Sequence, residues 1–185
     1  MKLKARDKTL NKILVLGKPG SGKTTLVKRI SSTFPGVFTG FFTEEVRRGG
    51  RRIGFSVETL AGEKGTLASQ DLSSRFYVGR YRVDLESFER VALPVLEKAL
   101  KEGKPCLVDE VGKMELFSIS FRELILALWD SPQLVLATSR FPILTWVEKN
   151  LIFEKQPLTI YLSKENREQC YLTLKERLRH WLFNP

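Results

Sequence analysis

The run Gly17-Lys18-Pro19-Gly20-Ser21-Gly22-Lys23-Thr24 fits the spacing G-x-x-x-x-G-K-[ST], a pattern suited to holding phosphate. Glycines let backbone N–H groups turn inward around phosphate oxygens, and a helix starting at Lys23 aims its positive end at the same charge. Lys23 is expected to reach the β and γ phosphates, and the Thr24 hydroxyl to hold Mg²⁺. Gly17 through Thr24, with Thr25 behind them, form the expected nucleotide-binding segment. A glycine-rich turn without a ligand is the plain alternative, and the position between an apolar strand and a helix argues against it.

Phosphoryl chemistry also calls for acids at the end of another buried strand, and Leu107-Val108-Asp109-Glu110 provides them. Asp109 can bind Mg²⁺ directly or through water, and Glu110 can orient and deprotonate an attacking water. Two acids solvating a strand end is the bland reading; beside a phosphate loop, the pair favours hydrolysis. Thr138-Ser139-Arg140 closes a further apolar run, where open α/β sheets gather ligands. Thr138 or Ser139 can position the lytic water. Arg140 can offset charge developing on the transferred group, or make only a surface salt bridge.

Seven arginines, at 47, 48, 51, 52, 75, 80 and 82, crowd one stretch. They suit a triphosphate, nucleic acid or a partner, but a solvated hairpin with snorkelling side chains accounts for most of them. Arg80 stands out because it precedes a helix cap at Asp84, and Lys113 because it follows the acidic pair. His180, Trp181 and Phe183 read as packing groups.

These residues require elements to position them. Lys12 to Leu16 reads as a strand buried on both faces, and Lys23 to Ser32 as a helix with Leu26, Val27 and Ile30 inward. Val37 to Thr43 is β-rich, and Arg51 to Ala68 reads as a hairpin inserted at one sheet edge. Asp84 caps a helix that contains Pro94 and ends at Gly103. Cys106 to Val108, Gln133 to Thr138 and Leu158 to Leu162 complete four core strands. Ser120 with Glu123 fits a capping box for a helix to Trp129. Ile143 to Asn150 predicts a short helix, and Ser163 is expected to cap a basic terminal helix carrying Leu172, Leu174, Leu178 and Leu182. Strands alternating with helices predict a mostly parallel α/β sheet.

The 185 residues, 42% hydrophobic and 28% charged, imply a single folded domain spanning 1–185 and exclude a disordered or collagen-like chain. A net charge of +10 favours anionic partners without choosing among them. Two cysteines and one histidine cannot supply a structural zinc site or a disulfide framework. The basic stretch Met1 to Leu10 precedes only four apolar residues, Ile13 to Leu16, too few for a signal peptide, and no run reaches membrane-span length. A cytoplasmic monomer is the expectation.

The blocks GKPGSGKTT (17–25), GFFTEEVR (40–47), GRYRVD (79–84), DEVGKMEL (109–116) and ENR (165–167) resemble those of a known family. It comprises the small nucleoside triphosphatases first described in thermophiles, whose animal members are called cancer-related nucleoside triphosphatases. The resemblance implies a three-layer P-loop NTPase fold with a RecA-like core of the additional-strand catalytic-glutamate class. It also implies slow Mg²⁺-dependent hydrolysis of ATP, GTP and other triphosphates. Members often carry His-Arg after the third core strand; Ser139-Arg140 departs from this at 139 and keeps Arg140. Two rivals remain. A nucleoside or nucleotide kinase would use residues 37–83 as a lid over an acceptor pocket. An ATP-gated RNA-binding module would draw on the basic charge, but no RNP1-type aromatic pattern supports it, so nucleic acid is not the favoured partner.

Overall fold

The computed structural model describes residues 11–183. The basic stretch Met1 to Leu10 lies outside the described residues. The elements run β1 (Lys12–Gly17), α1 (Lys23–Thr33), β2 (Thr39–Arg48), β3 (Arg51–Thr59), β4 (Lys64–Ser69), β5 (Tyr77–Val78), β6 (Tyr81–Val83), α2 (Leu85–Glu102), β7 (Cys106–Asp109), α3 (Ile119–Asp130), β8 (Val135–Arg140), α4 (Thr145–Val147), β9 (Leu158–Leu162) and α5 (Arg167–Phe183).

One nine-stranded sheet has the order β5-β6-β4-β3-β2-β7-β8-β1-β9. The pairs β2-β7, β7-β8, β8-β1 and β1-β9 are parallel; β2-β3, β3-β4, β4-β6 and β6-β5 are antiparallel. β8 therefore lies between the strand leading to the phosphate loop and the strand carrying Asp109, which is the additional-strand arrangement that the family resemblance implies.

Alternation along β1 sends side chains into two separate cores. Leu14 and Leu16 join Phe41, Phe88, Phe121 and Ile125 under α2 and α3, while Ile13 and Val15 join Val27, Ile30, Leu174 and Leu178 under α1 and α5. The result is three layers, helices on both faces of the sheet. In the first core Phe41, Phe88 and Phe121 meet edge to face with centroids 5.3–6.1 Å apart. Each such pair adds about 0.5–1.5 kcal/mol beyond its buried area.

The predicted hairpin 51–68 exists as β3 and β4, but it belongs to a larger antiparallel wing. β2 is longer than the Val37 to Thr43 segment suggested. Its last parallel partner is Asp109, at Phe42, and beyond that it continues to Arg48 against β3. The turn between them falls on Gly49 and Gly50, with φ of 54° and 75°, values that favour glycine over any side chain.

One helix start matches expectation, while two starts and one whole helix differ in detail. Asp84 Oδ1 accepts the Ser87 N–H at 3.0 Å, as its sequence position suggested. For α3 the cap is Ser118, not Ser120: its Oγ accepts the Phe121 N–H at 3.0 Å and donates to Glu89 Oε1 at 2.6 Å. Starting there turns Phe121, Ile125 and Leu128 inward, and core packing outweighs the local capping box. Helix α5 begins at Arg167, because Ser163 and Asn166 first close a turn, and its buried face is Cys170, Tyr171, Leu174 and Leu178, leaving Leu172 exposed. The expected helix 143–150 is one α-helical turn, α4, followed by a π-helical segment Glu148–Phe153. There the buried Trp129 indole N–H donates to the Leu151 carbonyl at 3.2 Å.

Candidate active site

The loop after β1 wraps back on itself, with Ser21 N–H donating to the Lys18 carbonyl at 3.0 Å. Lys18, Pro19 and Gly20 are exposed, and Ser21 is buried with no hydrogen-bond partner for its Oγ. Gly22 has φ 103°, and a Cβ there would sit 2.8 Å from Arg167 Nε. That guanidinium donates to the carbonyls of Ser21 at 2.6 Å and Gly20 at 3.0 Å, tying α5 to the loop. Carbonyls held outward in this way leave the loop's N–H groups for an anion.

Lys23 is buried at the start of α1, its Nζ donating to the Gly17 carbonyl at 3.2 Å and lying 3.3 Å from Glu110 Oε2. Thr24 Oγ1 donates to Asp109 Oδ2 at 2.5 Å, so the loop hydroxyl and the strand-end carboxylate meet although 85 residues separate them. Thr25 is exposed on the first turn of α1. Asp109 is 1% exposed, and burial pushes its carboxyl up to about 6 against the opposing pull of the Thr138 and Thr24 hydroxyls.

Thr138 and Ser139 are fully buried with their hydroxyl protons committed elsewhere. Thr138 Oγ1 donates to Asp109 Oδ1 at 2.5 Å, and Ser139 Oγ donates to the Val111 carbonyl at 2.8 Å. They hold the acidic loop rather than a lytic water, because β8 packs directly against β7. Arg140 pairs with Gly17 in the β1-β8 register, and its buried Nε has no hydrogen-bond partner. Arg80 lies far along the sheet, in the turn between β5 and β6, donating to the Tyr81 hydroxyl at 3.2 Å and the Arg52 carbonyl at 3.3 Å. Arg47 and Arg52 close on Glu45, Arg75 and Arg82 lie over Phe76 and Tyr77, and Lys113 is exposed. Most of the arginine cluster is thus bound up within the wing.

Glu115 carries a role that its sequence block did not reveal. It is buried, and its carboxyl is pushed up to about 8, first by burial and then by the charge on Glu110. A Cβ on Gly112 would lie 2.6 Å from Glu115 Oε2 and 2.9 Å from Glu110 Oε1, so the glycine makes room for two carboxyl groups to approach.

Thr24 and Asp109 offer hard oxygen donors of the kind Mg²⁺ takes. Among the described residues no group of three or more His, Cys, Asp or Glu could hold a metal by itself. The donor set suits an ion that completes its shell with phosphate oxygens and water, as Mg²⁺ does.

A family model described as NTPase matches residues 12–174, which take in every residue of this site. The chain belongs to the NTPase family. Within it, the chain is 42% identical over 174 residues to nucleoside-triphosphatase THEP1 of Thermotoga petrophila, covering 94% of both chains. It is 41% identical to the human cancer-related nucleoside-triphosphatase, covering 84% of this chain and 90% of that one. Two solved NTPase structures share the fold. The crystal structure of THEP1 from Aquifex aeolicus superposes with a TM-score of 0.81 at 37% identity, covering 88% of this chain and 96% of that one. The solution structure of the human protein gives 0.77 at 36% identity, over 91% and 97%. These NTPase relatives bear out the resemblance carried by the five sequence blocks. Among the described residues no helix is long and apolar enough to cross a membrane.

Proposed function

We propose that the chain is a Mg²⁺-dependent nucleoside triphosphatase that converts ATP, GTP and other nucleoside triphosphates to the diphosphate and phosphate. The observation that carries this reading is the division of labour between neighbouring acids. Asp109 faces Thr24 at 2.5 Å, and Glu110 faces Lys23 at 3.3 Å. One carboxylate belongs to the metal side of a triphosphate, the other to its γ end.

The loop N–H groups and the α1 terminus bind the β and γ phosphates, and Lys23 moves from the Gly17 carbonyl and Glu110 to the incoming oxygens. Thr24 and Asp109 would hold Mg²⁺, which would supply charge neutralisation for the triphosphate. Glu110, released by Lys23, orients a water for in-line attack and accepts its proton at a carboxylate oxygen. Arg140, paired with Gly17 across β8 and β1, offsets charge on the γ phosphoryl group. Positioning does most of the work, since phosphoryl transfer asks for little covalent help.

Residues 39–83 are built mostly from strands of the sheet's antiparallel wing, which favours water over a kinase's acceptor as the attacking group. The test is phosphate release from four nucleoside triphosphates with Mg²⁺ or EDTA, with and without added nucleosides. Mg²⁺-dependent release from several triphosphates without an acceptor supports the hydrolase; release only with an acceptor overturns it.

A further inference from the structure

Phosphate, metal and water account for one side of the loop. On its other side a cleft of about 440 Å³ opens, lined by Gly17, Pro19 and Ser21 and, opposite them, by Phe141, Tyr161 and Glu165. Its volume falls in the range of small-molecule sites, roughly 300–1,000 Å³. The two rings meet edge to face, centroids 5.9 Å apart, yet Phe141 is 38% and Tyr161 57% exposed. Large rings left open inside a cleft mark a surface that a ligand can cover.

The aromatic wall and the phosphate loop are joined as one assembly. Phe141 N–H donates to the Gly17 carbonyl at 3.0 Å. Tyr161 sits on β9 beside Leu16 of β1. Asn166 fixes the following turn, accepting the Ser163 N–H and donating to the Tyr161 carbonyl, both at 2.8 Å. The next residue, Arg167, clamps the loop carbonyls. Direction matters too: in the order β7-β8-β1-β9, Asp109 and Glu110 lie to one side of β1 and Tyr161 to the other. A triphosphate with its γ end at Lys23 and Glu110 therefore carries its nucleoside end toward the cleft.

Resting on the triphosphate reading of the loop, we propose that Phe141 and Tyr161 form the platform on which the nucleobase stacks. The site takes the base by its π-face rather than by a hydrogen-bonded edge. Stacking tolerates any base, because every base has a π-face. Lys164 and Glu165 are exposed at the rim and do not lock one base edge in place.

The test is calorimetric binding, without Mg²⁺, of ADP, GDP, CDP and pyrophosphate to the wild type, Tyr161→Ala, Tyr161→Phe and Phe141→Leu. Tyr161→Ala should weaken all three nucleoside diphosphates about tenfold, in line with the loss of one stacked ring, and leave pyrophosphate unchanged. Tyr161→Phe should restore wild-type affinity, and Phe141→Leu should act in the same direction as Tyr161→Ala. Equal losses for pyrophosphate, a loss confined to one base, or no loss in either truncated variant would overturn the platform while leaving Mg²⁺-dependent phosphate release, and so the hydrolase reading, intact. Failure of the wild type to bind any of the diphosphates would overturn both.

Discussion

Lys23 Nζ lies 3.3 Å from Glu110 Oε2, and the same ammonium donates to the Gly17 carbonyl at 3.2 Å. In the proposed mechanism this contact makes binding and activation one event: phosphate oxygens draw Lys23 away and Glu110 becomes free to act on water. Lys23→Met keeps the buried stem and removes the charge. It should weaken triphosphate binding about a hundredfold, the scale of one or two charge-assisted contacts. Titration calorimetry checks this, and wild-type affinity in Lys23→Met would refute it.

Thr138→Val removes the 2.5 Å hydrogen bond to Asp109 Oδ1 and changes little else in volume. Outer partners of a metal ligand commonly alter metal affinity about 10- to 100-fold. The Mg²⁺ concentration for half-maximal phosphate release should rise by about tenfold, with turnover largely restored at saturating Mg²⁺. An unchanged Mg²⁺ requirement would remove Thr138 from the account.

Glu115 gives a pH signature in stability. Its carboxyl ionises near 4.5 when unfolded and about 8 when folded, so the fold favours the protonated form. Its contribution is fully present below about 4.5 and is lost as pH rises to about 8. Glu115→Gln cannot ionise and escapes that loss. Its melting temperature should gain on the wild type between pH 5 and 8, on the order of several degrees. A pH-independent difference would contradict the buried protonated carboxyl.

Much of this arrangement was legible in the residues because local rules and tertiary packing agree there. The apolar run into Gly17, the loop spacing and the acidic pair after Cys106 to Val108 each announce an element, and those elements come together. Where several local signals compete, the sequence is ambiguous: Ser118 and Ser120 both offer caps, and the core settles the choice through Phe121. The wing was only partly visible because the charged run Glu44 to Arg48 hides the outer half of β2, which the Gly49-Gly50 turn pairs with β3. Thr138 looked free to hold water, since nothing in a linear run shows that β8 lies against Asp109. Asn166 and Arg167 stood in a recognisable block, yet only the contacts with Tyr161 and the loop carbonyls explain them.

The central claim is that Glu110 takes a proton from water while Lys23 and the loop hold phosphate. Its most direct test is single-turnover phosphate release from ATP with Mg²⁺, comparing wild type with Glu110→Gln, alongside nucleotide affinity for both. The account predicts nucleotide affinity within a few-fold and release slowed about 10²- to 10⁴-fold, the usual reach of a general base. Wild-type release in Glu110→Gln would contradict it.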